Sequence, residues 1–197
     1  MIHHLAPLCD SDPHSVVAYF YFTFADVAKQ TKDGFLRSVI RQLCGSRPDI
    51  PGPVSQLYHH PRKQNHEPDQ KSLQRALRAS MEGFSHVFMV VDGLDEAPTA
   101  GGERSGLVEL LLRIREWELP SLHLLITSRF DPELDRGLHR AMGSGIAEVM
   151  DLDEQKEVGH DIETFVASAL AAPAFEDWPG AMVAEATTKL VEKSKGM

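Results

Sequence analysis

The sequence predicts an α/β protein built on a parallel sheet, followed by a small helical subdomain. Three observations carry this expectation. Residues 87–91 (VFMVV) are all apolar, the composition of a parallel strand covered on both faces. Leu122–Ile126 reads as a second buried strand, and segments of helical period separate the strands. From about Asp161 onward the pattern is helical only.

The elements follow in order. Residues 2–8 read as the last turns of a helix, broken by Asp10, Ser11, Asp12 and Pro13. Residues 16–24 (VVAYFYFTF) are β-branched and aromatic and read as a strand. Asp33 is a candidate cap for a helix whose Phe35, Leu36, Val39, Ile40, Leu43 and Cys44 recur at helical spacing up to Gly45. Residues 45–69 hold Pro48, Pro51, Pro53, Pro61 and Pro68 and read as a long surface connection. A helix is expected over Gln70–Met81, with Leu73, Leu77 and Met81 on one face. Residues 104–119 form another, with Leu107, Leu111, Ile114 and Trp117 inward and Pro120 as its stop. Asp131-Pro132 opens a short helix, and residues 146–152 read as a last strand. Asp161 is expected to cap a helix carrying Ile162, Phe165, Val166, Ala169 and Leu170 on one side, and a final helix runs over residues 179–193.

Composition narrows the function. The 197 residues fit one ordinary domain with a real core, at 42% hydrophobic and 25% charged. A formal charge of −9 gives no bulk attraction to nucleic acid or to an anionic membrane. No apolar run reaches the ~18 residues of a membrane span, and the N-terminus lacks a signal-peptide pattern. Cys9 and Cys44 read as free thiols of a cytoplasmic protein.

Two strand ends carry candidate chemistry. In F-M-V-V-D-G-L-D-E, residues 88–96, an acid stands at the C-terminal tip of a buried strand, the edge where open α/β sheets bind ligands. Asp92 there suits Mg²⁺ beside substrate phosphates, and Asp95 and Glu96 lie where an acid can orient an attacking water. The plainer alternative is an acidic turn in which Asp92-Gly93 serves turn geometry. In L-H-L-L-I-T-S-R, residues 122–129, Arg129 is suited to a terminal phosphate, or else is a surface arginine paired with Asp131 or Glu133. Neighbouring parallel strands would bring Asp92 and Arg129 to one crevice. Other features are weaker. His3, His4, His59, His60 and His66 lack zinc-site spacing, and Ser11 and Ser128 lack a G-x-S-x-G setting. Trp178-Pro179 reads as a helix start with a packed indole, and residues 151–157 as a solvated acidic stretch.

The order strand, helix, strand-DGLDE, helix, strand-TSR and trailing helices resembles fungal NACHT proteins of the nephrocystin-like group, which are signal-transduction P-loop NTPases. The resemblance runs from about Val16 to Met197. Tyr19-Phe20-Tyr21-Phe22 resembles the family's second strand, and residues 35–43 (FLRSVIRQL) the helix after it. Residues 92–96 match the Walker B pattern and Thr127-Ser128-Arg129 the sensor, while residues 161–166 (DIETFV) and Lys195-Gly196-Met197 look like the first part of a helical lid. The resemblance implies a three-layer P-loop NTPase-like sheet, Mg²⁺ with ATP or GTP as cofactor, Asp92 as the metal residue, Asp95 and Glu96 as catalytic acids, and Arg129 as a nucleotide-binding residue. It also implies protein partners or a homo-oligomer, with neither nucleic acid nor membrane involved.

Family members begin this domain with a strand and a G-x-x-x-x-G-K-[ST] loop whose amides and lysine hold the phosphates. No such loop occurs in the 197 residues. The resemblance thus implies a truncated copy, missing its first, central strand between the strand before Arg129 and the last strand. Residues 1–15 are then the end of a truncated helix and a turn, 16–155 a nucleotide-binding core without its P-loop, and 156–197 the start of the lid. Nucleotide binding by such a chain is expected to be weak or absent, which leaves a non-catalytic interaction module or a degenerate remnant as alternatives.

Overall fold

A computed structural model describes residues 2–26, 29–59, 67–142, 148–152 and 156–194. The chain divides into two compact units, Met1–Ser144 and Gly145–Met197.

The first unit is a mixed α/β arrangement in which helices flank a parallel sheet, consistent with a P-loop-like α/β fold. Helix α1 (Ile2–Asp10) leads into strand β1 (Ser15–Tyr21). Helices α2 (Lys32–Gly45), α3 (Gly52–His59) and α4 (Gln70–Met81) precede β2 (His86–Asp92). Helix α5 (Glu103–Arg115) connects to β3 (Leu122–Ile126), and α6 (Pro132–Met142) follows. Strand order among the described residues is β1-β2-β3, all parallel, so β2 is central. Val16 faces Val87, and Val87 faces Leu122, across the two ladders.

Alternation along the strands sorts the faces. Val16, Ala18 and Phe20 of β1 and Val87, Met89 and Val91 of β2 are buried in the core, where they meet the apolar stripes of α2, α4 and α5. Leu122, Leu124 and Ile126 of β3 pack against the same core. Phe35 of α2 is its aromatic centre, edge-on to Phe20 at 5.6 Å between ring centroids and stacked on Phe22 at 6.4 Å. The opposite face carries the half-exposed rings of Tyr19 and Tyr21, and a stack in which Phe88 and His123 lie 4.8 Å apart.

Several expectations need correction. Strand β1 stops at Tyr21, because the chain turns after Phe22 and the Gln30 side chain binds the Thr23 and Phe24 carbonyls at 3.0 and 2.9 Å. Thr31, not Asp33, caps α2: its hydroxyl accepts the Gly34 amide at 3.0 Å, while Asp33 sits in the first turn. The connection over residues 45–69 contains α3, whose Val54 and Leu57 pack against the core. Pro51, Gly52 and Pro53 look like breakers, but they stand at the start of the helix, where missing amide donors cost nothing. Helix α5 ends at Arg115; Trp117 and Leu119 still pack on the core from the turn beyond, where Glu118 takes a φ of 50°.

In the second unit, α7 (Lys156–Leu170) and α8 (Gly180–Ser194) pack together. Helix α7 starts before Asp161, which lies within it rather than capping it, and Phe165 is exposed where an inward position was expected. Trp178 packs edge-on against Phe175 at 5.0 Å just before α8. The strand expected over 146–152 is not formed in its described part: Val149, Met150 and Leu152 are exposed and unpaired in any ladder, while 146 and 147 lie outside the described residues. Apolar residues without a neighbouring strand to pair with do not make one. Both cysteines are free thiols. No helix among the described residues is long and apolar enough to cross a membrane.

Phe35→Ala is expected to cost about 3–5 kcal/mol, the range for emptying a buried aromatic site. Urea unfolding checks it, and a loss under about 1 kcal/mol would show that the cluster around Phe35 is not the core's centre.

Candidate functional site

The central position of β2 fixes its last residue from both sides. The Phe22 amide donates to the Asp92 carbonyl at 2.9 Å, and the Thr127 amide donates to the Val91 carbonyl at 2.9 Å. Both ladders therefore run to the C-terminal tip, and Asp92 meets Thr127, whose hydroxyl donates to Asp92 Oδ1. The same hydroxyl accepts the Gly93 amide at 3.2 Å, so one side chain serves both residues of the turn.

The next residues are placed one by one. Gly93 has φ 69° and ψ 41°, the left-handed region, and a Cβ there would lie 3.4 Å from the Phe22 carbonyl oxygen. Leu94 is fully buried and its amide donates to the Thr127 carbonyl at 3.1 Å. Leu94–Glu96 then makes one 3₁₀ turn, with Leu94 as the anchor and the two acids at the edge. The Asp95 carboxylate accepts the Arg129 amide through Oδ1 at 3.0 Å and has the Arg129 Nε 3.7 Å from Oδ2. Glu96 Oε2 accepts the Phe24 amide at 3.2 Å, which ties the turn to the loop after β1.

Asp92, Asp95, Glu96 and Arg129 thus share one sheet edge. Asp95 and Arg129 touch, Asp92 is joined to their loops through Thr127, and Glu96 reaches towards β1. The Arg129 side chain stays 74% exposed while Asp95 is 15% exposed. Arg129 does not pair with Asp131 or Glu133: Asp131 goes to a different arginine.

That arginine is Arg104, which the sequence pattern passes over. From the first turn of α5, its Nε donates to the Ala97 carbonyl at 2.9 Å, Nη2 to the Asp95 carbonyl at 2.5 Å, and Nη1 to Asp131 Oδ2 at 2.9 Å. The side chain is 11% exposed. Asp131 Oδ1 in turn accepts the Glu133 and Leu134 amides at 2.8 and 3.2 Å, capping α6. The Leu134 and Glu133 amides, with Arg104 adding its charge, hold the Asp131 carboxyl below the usual carboxylate range. One sequence signal did exist: a cation in a helix's first turn opposes the helix dipole, so a specific acceptor is needed nearby.

Among the described residues no three His, Cys, Asp or Glu side chains gather to hold a metal ion. A cation at Asp92 would depend on oxygens brought by a ligand and by water, which is how Mg²⁺ is held beside phosphates and not how a resident structural metal is held. His60 and His66 lie outside the described residues. The exposed rings of Phe24 and Phe130 belong to the loops that also carry the bond to Glu96 and Arg129 itself.

A family model described as Nephrocystin 3, N-terminal, matches residues 1–129, a span that ends at Arg129 and includes all four candidate residues. No curated protein and no solved structure matches the chain.

Gly93→Ala is expected to cost about 1–2 kcal/mol, the penalty for a left-handed residue bearing a Cβ, and urea unfolding measures it. The pH dependence of Asp131 has a definite sign. Its folded value is depressed, so its contribution is complete above the unfolded value near 3.9 and is lost as pH falls through the lower folded value. The stability gap between wild type and Asp131→Asn should therefore stay level between about pH 7 and 5 and shrink only below about pH 4. Thermal melts across that range check it, and a gap already closing above about pH 5 would contradict the assignment.

Proposed function

The chain belongs to the nephrocystin 3 N-terminal family, and from that footing we propose that it carries the metal-side and sensor residues of a NACHT-type P-loop NTPase module, a nucleotide-dependent conformational switch. The observation that carries the reading is the meeting of Asp92, Asp95, Glu96 and Arg129 at the C-terminal edge of neighbouring parallel strands. Folding alone does not call for three acids and an arginine at such an edge, and ligands of open α/β sheets bind there.

The geometry supports a role for each residue on this reading. Asp92 would hold Mg²⁺ arriving with ATP or GTP, since Thr127 occupies only one of its oxygens. When bound, the cation neutralises charge on the phosphates. Asp95 Oδ1 and Glu96 Oε2 each accept a backbone amide, and Asp95 Oδ2 faces the Arg129 guanidinium at 3.7 Å, so an acid held at this edge beside the arginine would orient a water against the terminal phosphate. Arg129 has its amide fixed on Asp95 and its guanidinium in solvent, where a planar fork matches phosphate oxygens.

One observation favours a second reading. No G-x-x-x-x-G-K-[ST] loop occurs in the 197 residues, so the amides and lysine that would grip the phosphates must come from elsewhere or be lacking. On that reading the chain is a non-catalytic protein-interaction module, and its acids serve as struts for the loops.

Isothermal titration of Mg-ATP and Mg-GTP into the purified chain separates the two, with Asp92→Ala as the control. Saturable micromolar binding that disappears in Asp92→Ala supports the switch in this chain directly. Weak or absent binding by wild type, equal to the control, is the result the interaction module predicts.

A further inference from the structure

We infer that Arg104 is the positioning residue of this edge, holding the acid-bearing turn and the arginine-bearing loop in one fixed relation. For its functional meaning this rests on the nucleotide reading above; the geometry stands without it.

The contacts close a ring. Arg104 Nη2 binds the Asp95 carbonyl at 2.5 Å, and the Asp95 carboxylate binds the Arg129 amide at 3.0 Å. Two residues beyond Arg129, the Asp131 carboxylate returns to Arg104 Nη1 at 2.9 Å. The third bond, from Nε to the Ala97 carbonyl at 2.9 Å, fixes the plane of the guanidinium. Two loops that follow different strands are thereby joined twice, once through Asp95 and once through Asp131.

The chemistry requires arginine. Three acceptors lie around a single plane, which a rigid fork can serve and a lysine ammonium cannot. The group is nearly removed from water, and an unpaired cation would be costly there, so Asp131 is needed to balance it. The ring also divides the work at Arg129: its backbone is clamped, while its guanidinium stays largely exposed with only a 3.7 Å approach to Asp95 Oδ2. A phosphate-reading arginine needs that combination, because a misplacement of about 1 Å is enough to cost catalysis about a hundredfold. Asp131 is in addition the cap of α6, so the ring that places Arg129 also sets where α6 begins.

The test is amide hydrogen exchange, followed by NMR on the full chain, for wild type, Arg104→Gln, Arg104→Lys and Asp131→Asn. In Arg104→Gln the Arg129 amide is expected to exchange about tenfold faster while the β2 ladder amides change less than about twofold. Arg104→Lys should fall between, since it keeps the charge but loses the fork. If Arg104→Gln does not fold, Asp131→Asn reads the same amide, because asparagine keeps the size and the capping oxygen. An unchanged Arg129 amide, or acceleration of all amides together, overturns the positioning role in favour of a fold staple. Mg-ATP titration of the same proteins keeps the two proposals apart. A wild type that binds no nucleotide but whose Arg129 amide responds as expected defeats the nucleotide reading and leaves Arg104 in its role. A wild type that binds nucleotide, with Arg104→Gln altering neither affinity nor the Arg129 amide, defeats the role and leaves the reading.

Discussion

The backbone of β2 is hydrogen-bonded on both sides up to its last residue, and the rest of the edge depends on that. A strand end paired on one side only can fray; here Phe22 and Thr127 hold it from left and right. Asp92 consequently stands at a fixed height, and Thr127 stands beside it because the parallel register of β2 and β3 leaves it no other place. The turn that follows inherits this rigidity through Leu94, whose burial sets the two remaining acids outward.

Charge at the edge is handled by short, specific bonds rather than by exposure alone. Asp95 and Glu96 accept backbone amides from loops after β3 and β1, and Asp131 accepts two amides at a helix start and one guanidinium bond. Carboxylates so placed add specific bonds between three loops that the sheet and the burial of Leu94 already bring close. Arg104 is more enclosed than Asp95 or Asp131, and its low exposure makes its partner a necessity.

What the sequence made legible was whatever is local. The run VFMVVDGLDE contains its own instructions: five apolar residues for a covered strand, an acid at the tip, a glycine for the left-handed turn, a leucine to bury and two acids beyond. Leu122–Ile126 followed by Thr127-Ser128-Arg129 is equally self-contained, and the parallel pairing brought the two together as expected. Arg104 escaped because two of its three acceptors are main-chain carbonyls and the third lies 27 residues away; no spacing announces such contacts. Helix α3 escaped because proline and glycine at a helix start look the same as proline and glycine in a loop. Residues 148–152 misled in the other direction, since β-branched and apolar composition specifies a strand only where a neighbouring strand accepts its hydrogen bonds.

The two crossovers of the sheet differ in length, and that difference bears on how the molecule can change over time. The path from β1 to β2 takes in α2, α3 and α4 and is about twice as long as the path from β2 to β3, which takes in α5 alone, yet a doubling adds only about 0.6 kcal/mol of closure entropy. In entropic terms the long crossover therefore tolerates changes of length, outside the residues of α2, α3 and α4 that pack on the core. The short crossover has no such latitude, because it begins at Gly93, contains Arg104 and ends on the strand that delivers Thr127 and Arg129. Length variation among descendants of this fold should accumulate on the β1 side of the central strand and be purged from the β3 side.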